Sequence, residues 1–268
     1  EICSGWRLPL KISSALMIVV RPSSCSRALS ALKSIARGQP CRLMSTTAPA
    51  SVKNIYCIGR NYVEHVYELG NELPKEEPVV FIKSLSSLRG LEGATAFAES
   101  GRIHHELELV VQIAEQIPLN SHVESWDVIG SLALGLDLTL RDKQSALRAK
   151  GLPWTLSKSF QGSSILGPLV PLSEFYEQGG KDFSPDSLSF ELRVNDDVRQ
   201  KASVAQMIFP VPHLLTFLAT YQPLEPGDLV YTGTPKGVNT MVKGDEFAMS
   251  WLTNDDKRGY SGTYEGVL

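Results

Sequence analysis

The chain has 268 residues, 43% hydrophobic and 21% charged, enough for one large domain or two small ones. The net charge of −3 is uneven: residues 1–50 hold seven basic residues and one acid, leaving 19 basic and 28 acidic residues in 51–268. That acidic body excludes nucleic acid as the expected partner, and no apolar run is long enough to span a membrane.

Residues 1–50 also hold nine serines, and basic, Ser-rich, acid-poor composition is that of an organelle transit peptide. A disordered basic tail is the other reading. The chain opens on Glu1, so Met17 is the expected natural start, with Met44 as a second, untargeted one. The leader is set aside, and 51–268 is expected to form a single catalytic domain. Cys3, Cys25 and Cys41 fall in the leader, leaving Cys57 in the body. One cysteine makes no internal disulfide, which points to a reducing compartment. Cys57 is expected as a small buried strand residue.

Asn54 to Ile58 is predicted as a short apolar strand ending at Gly59, followed by Arg60. YVEHVYELG is predicted as a helix closed by Gly70. His65 and Glu68 are three apart on it, hence on one face. Such a pair is either a general base held in one tautomer or an exposed pair of little consequence. PVVFIK, Pro78 to Lys83, reads as a second buried strand, and 84–102 as a loop.

Ile103 to Ile113, IHHELELVVQI, reads as a strand. Glu106 and Glu108 then share a face with Val110 and Gln112, while His105, Leu107, Leu109 and Val111 take the other. Two adjacent acids on an apolar strand repel each other and lose hydration, which a hard divalent cation relieves. A solvent-facing edge strand with two charges is the competing reading. Ser121 to Val128 is predicted as a short helix. LALGLDLT is apolar except for Asp137, and a carboxylate there requires a partner or a metal.

LRDKQSALRAKG reads as an amphipathic helix ended by Gly151. Lys158 follows among apolar neighbours, either as a snorkelling surface residue or as a fixed cation facing an anionic ligand. Leu188 to Val194, Asn195-Asp196-Asp197 and VRQKAS read as a hairpin without the usual glycine. Pro212 to Tyr221 is a predicted helix with a structural His213. A turn at Glu225–Asp228, a strand at Leu229–Thr232 and the TGTPKG loop follow, the last suited to cradling a carboxylate. A final strand is predicted from Glu246 to Trp251.

Six of these stretches occur in an order that resembles the fumarylacetoacetate hydrolase family: GRNYVEHVYELG, HHELEL, LDLTLRD, KGLPWTLSKSF, MIF and LEPGDLVYTGTPKGV. The resemblance covers roughly residues 52–250 and is specifically to the short mitochondrial members, of the acylpyruvase and oxaloacetate decarboxylase type. It implies an α+β, mainly β fold: a mixed β-roll of the family's C-terminal-domain type with short flanking helices, usually a homodimer, in the mitochondrial matrix. It implies Mg²⁺ or Mn²⁺ held by Glu106, Glu108 and Asp137. It assigns His65 and Glu68 to a catalytic dyad on a lid and Lys158 to the active site. Arg60, Arg141, Gln144 and Thr234 take substrate-binding roles for a small 2-oxo acid. The implied activity is hydrolysis of 3-acylpyruvates with oxaloacetate decarboxylation. An oxaloacetate keto–enol tautomerase on the same scaffold is the alternative, and a non-catalytic metal-binding protein the distant one. Lys83-Ser84 departs from the family's Lys-Pro, the 85–102 loop lacks its Pro-rich approach, and NDD replaces Asn-Gly. The C-terminus after Trp251 offers no match to rely on.

Overall fold

The computed structural model describes residues 52–68, 70, 72, 74, 76–91, 102–252 and 260–268. The predicted leader lies outside the described residues, as does 92–101 of the predicted loop. In chain order the strands are β1 (Ile55–Gly59), β2 (Val79–Lys83), β3 (Leu88–Arg89), β4 (Ile103–His105), β5 (Leu107–Ile113), β6 (Ile129–Asp137), β7 (Thr139–Leu140) and β8 (Ser164–Leu166). They continue as β9 (Val170–Pro171), β10 (Ser189–Val194), β11 (Asp197–Ser203), β12 (Leu229–Tyr231), β13 (Asn239–Met241), β14 (Glu246–Leu252) and β15 (Gly262–Val267). Short helices flank them: α1 (Val63–Glu68), α2 (Arg141–Ala149), α3 (Thr155–Lys158), α4 (Leu172–Gly179) and α5 (Val211–Ala219). The fold is α+β, dominated by a mixed sheet.

That sheet runs β2-β1-β12-β5-β6-β8-β3, with β9 also on β6. β1 pairs with β12 in parallel, and β12, β5 and β6 pair antiparallel. A four-stranded sheet, β11-β10-β14-β15, and a three-stranded one, β13-β4-β7, complete the fold. The alternation predicted for β5 is realised with both faces buried. Leu107, Leu109 and Val111 join the main core with Leu134, Phe190 and Trp251. Val110 faces a smaller core with Ile55, Cys57, Ala133 and Tyr231. Cys57 is the buried strand residue expected.

Two acids at the end of this doubly buried ladder are therefore dehydrated. The ladder breaks at Glu106, which separates β4 from β5, although the Glu106 carbonyl still accepts from Asp137 N–H at 2.9 Å. Glu108 is opposite Gly135. A Cβ on Gly135 would come within 2.8 Å of the Ile165 carbonyl oxygen and of the Tyr231 ring, and 2.9 Å from Val110. Gly135→Ala is expected to lower stability by about 1–3 kcal/mol through this overpacking. An unchanged denaturant midpoint would show that the neighbours yield freely.

Several expectations need correction. Ser121 to Val128 is not helical. Val123 and Trp126 are drawn into the core, and Val123 N–H donates to Thr216 Oγ1 of α5 at 2.9 Å, so tertiary contacts replace helical ones. β2 is an edge strand with alternate exposure, not a fully buried one. Within 84–91, a single 3₁₀ turn and β3 stand where a loop was expected. Past Trp251 the chain returns as β15 along β14. The Asn195–Asp196 hairpin forms without glycine because both residues adopt positive φ, 51° and 67°, a conformation that Asn and Asp tolerate better than most.

Candidate metal centre and active site

β5 and β6 end side by side, which brings Glu106, Glu108 and Asp137 together. One oxygen from each carboxylate lies within 4.8 Å of the others, and all three residues are buried. Cations surround them. Lys158, at the end of α3, donates to Glu106 Oε2 at 2.7 Å and Asp137 Oδ2 at 2.6 Å. Arg141, first residue of α2, donates to Glu106 Oε1 at 2.5 Å and to Gln144 Oε1 at 2.6 Å. Lys83 donates to Asp137 Oδ1, and to the Ser163 carbonyl at 2.7 Å.

Burial opposes ionisation of Glu106, but the Lys158 and Arg141 charges outweigh it and hold the carboxyl well below the usual range. The same two carboxylates, Asp137 foremost, hold Lys158 above its ordinary value despite burial. Burial and the charge of Arg141 push His104 down to about 4. His104 therefore stays neutral and accepts from Arg141 Nε at 3.2 Å.

Glu108 differs. Glu108 accepts from Gly233 N–H at 2.7 Å, and no cation pairs with it among the described residues. Burial, then Asp137 and Glu106, push its carboxyl well above the ordinary range. Three hard oxygen donors with one acid uncompensated fit a divalent cation. Glu106 and Asp137 keep acceptor capacity beyond their lysine and arginine bonds, since each ionised carboxylate offers about four lone-pair sites. The position of Gly233 depends on having no side chain: its φ is +102°, and a Cβ would meet Asn61 Cβ at 2.7 Å.

Glu106 and Glu108 form part of the wall of a cavity whose lining also includes Arg60, His65, Phe81, Gln144, Arg148 and Thr234. Every predicted site residue except Glu68 and Asp137 lies on that lining, and these two lie directly behind it, on His65 and Lys158. His65 is buried, and its Nδ1 faces Glu68 Oε2 at 3.2 Å, leaving Nε2 for the cavity. Burial raises Glu68, yet bonds from His65 and Gly237 N–H outweigh it and keep the carboxylate ionised. Lys83 was read from sequence as the end of a strand, and Gln200, whose buried side-chain amide bonds to Leu107 N–H and Thr234 Oγ1, was not singled out. The signal for Lys83 was a cation closing an apolar run; Gln200, polar on a polar strand, gave none.

Residues 54–258 match the family model described as fumarylacetoacetate (FAA) hydrolase C-terminal. The chain is 38% identical over 196 residues to a Bos taurus protein named oxaloacetate tautomerase FAHD1, mitochondrial, covering 72% of this chain and 85% of that one. It is 37% identical over 201 residues to the Oryza sativa oxaloacetate tautomerase FAHD2, mitochondrial, covering 74% and 85%. Among solved structures, the Pseudomonas aeruginosa fumarylpyruvate hydrolase in complex with Mn²⁺ and pyruvate superposes with TM-score 0.69 at 30% identity, covering 85% of this chain and 99% of that one. A fumarylacetoacetate hydrolase family protein from Yersinia pestis gives TM-score 0.71 at 30% identity, covering 81% and 93%. Fold, carboxylate cluster and sequence agree: the chain belongs to the fumarylacetoacetate hydrolase family.

Proposed function

We propose that this protein is a divalent-metal-dependent oxaloacetate keto–enol tautomerase, the alternative reading of its sequence rather than the acylpyruvate hydrolase and decarboxylase. One observation carries the choice of substrate. Lys158 and Arg141 are engaged by the carboxylate cluster, whereas Arg60 lines the same cavity with no carboxylate partner among the described residues. Burial, then the charge of Arg148, lower Arg60. A second anionic group on the substrate would pair with Arg60. Oxaloacetate brings two carboxylates, whereas an acetylpyruvate brings one. The tautomerase names of the curated relatives support the same reading.

Glu106, Glu108 and Asp137 would hold Mg²⁺ or Mn²⁺. When bound, the ion supplies Lewis-acid polarisation of a 2-oxo oxygen. The chain's own residues do the rest. Glu68 accepts from His65 Nδ1–H and so presents the Nε2 lone pair as base toward the C3 proton. Lys158 uses two of its three N–H donors on carboxylates. The third is left to meet negative charge growing on the 2-oxo oxygen. Return of the proton from His65 to that oxygen completes the enol. Residues 1–50 serve as a mitochondrial leader and 51–268 as the catalytic domain in this reading. The basic, Ser-rich leader and the relatives' names support it. The exposed Val80, Ile82 and Leu85, on and just after edge strand β2, support a homodimer.

The deciding assay supplies Mg²⁺ or Mn²⁺ and follows three reactions. Tautomerisation is expected as a change in enol absorbance with no pyruvate formed from oxaloacetate. Faster release of acetate and pyruvate from acetylpyruvate would restore the hydrolase reading and defeat this one.

A further inference from the structure

We propose that Gln200 is a positioning residue that fixes Thr234 as a hydrogen-bond donor toward the carboxylate of a 2-oxo acid in the cavity. Gln200 lies on β11, is 1% exposed, and has both ends of its amide occupied. Two backbone groups with fixed roles set the amide's orientation. Leu107 N–H donates to Oε1 at 2.9 Å, and the Pro235 carbonyl accepts from Nε2 at 2.9 Å. The other two partners then have no choice. His105 Nδ1 carries its proton and donates to Oε1 at 2.9 Å. Thr234 Oγ1 accepts from Nε2 at 2.8 Å.

A hydroxyl that accepts on one side still has its own hydrogen to donate. Among the described residues nothing accepts it. Thr234 is buried on the wall of the cavity that Lys158 and Arg141 also line, where an anionic oxygen is the natural acceptor. Gln200 also ties Leu107, which stands between Glu106 and Glu108, to the loop whose Gly233 N–H holds Glu108. One amide thus sets the spacing between the carboxylate strand and the loop that receives the ligand.

The inference rests on the proposed function only in placing a 2-oxo carboxylate in this cavity. The test is calorimetric titration of pyruvate into the Mn²⁺-saturated protein. Gln200→Glu has no N–H, so the Thr234 hydroxyl turns to donate to the new carboxylate. Pyruvate affinity is expected to fall about tenfold or more. Thr234→Val should lose a similar factor, Thr234→Ser little, and the Gln200→Glu/Thr234→Val pair no more than either single change. Mn²⁺ affinity, measured separately, should not fall. Unchanged pyruvate affinity in Gln200→Glu, losses that multiply in the pair, or a parallel loss of Mn²⁺ affinity would each overturn the inference. Should the charged variant not fold, Gln200→Met, similar in shape and without a donor, is read by pyruvate affinity at saturating Mn²⁺ alone, because it also strips Leu107 N–H of its acceptor; unchanged pyruvate affinity overturns the inference. Wild-type protein that binds no pyruvate would instead overturn the proposed function.

Discussion

Glu108→Gln is expected to abolish metal-dependent turnover, by more than the ten- to hundredfold loss typical of changes just outside a metal's ligands. The metal-free fold should be unharmed. The neutral amide keeps an oxygen for Gly233 N–H, and the native carboxyl is already pushed toward its neutral form by burial and two neighbouring acids. Thermal unfolding separates the two effects. Wild type should gain about 2.7 kcal/mol at a metal concentration one hundred times Kd, and the variant nearly nothing. The pH dependence has a definite sign. Glu108 is raised in the folded state, so the unfolded chain releases this proton first as pH rises. The metal-free wild type therefore loses stability as pH climbs above the ordinary carboxylate range, and Glu108→Gln lacks that loss. Metal binding displaces the same proton, so affinity should increase with pH. A variant that keeps both turnover and the metal-induced stabilisation would remove Glu108 from the site.

His65→Gln should cost about 10²–10⁴ in tautomerisation, the usual range for a lost general base. Metal affinity should stay near that of wild type, because His65 bonds to Glu68 and not to the carboxylate cluster. Oxaloacetate decarboxylation, if measurable, should fall much less. Losing CO₂ generates the enolate without removing a proton from C3. Equal losses in both reactions would assign the dyad another task, such as holding α1 over the cavity. That task has a visible basis: Glu68 also accepts from Gly237 N–H at 3.0 Å, and Glu64 pairs with Lys236 at 2.9 Å.

Much of the site was legible because local patterns carry it. HHELEL alternates with a period of two, so its acids were bound to share a face. Asp137 stood out as a carboxylate inside an apolar run. The i,i+3 spacing of His65 and Glu68 needed a helix and nothing else. What stayed hidden was non-local. Nothing in VRQKAS says that Gln200 will face Leu107 and Thr234 from another sheet. Lys83 reads as the end of a strand until Asp137 and Ser163 are brought to it by the turn of the main sheet. The false helix at Ser121–Val128 fails for the same reason: Val123 and Trp126 are claimed by the core and by α5, which no local pattern records.

The parallel pairing of β1 with β12 has a consequence for how the chain acquires its shape. Asn54 reaches Asp228 across 174 positions of sequence at 2.8 Å. Pairings that distant are slow to form, because a long loop must close before any contact rewards it. On a ribosome, β1 emerges early and can pair with β2, but its other edge waits for residues 229–231. A nascent chain stalled before Leu229 has β2 beside β1 but neither β12 nor the glycine amide that holds Glu108. The reactive centre should therefore be among the last parts of the molecule to take form.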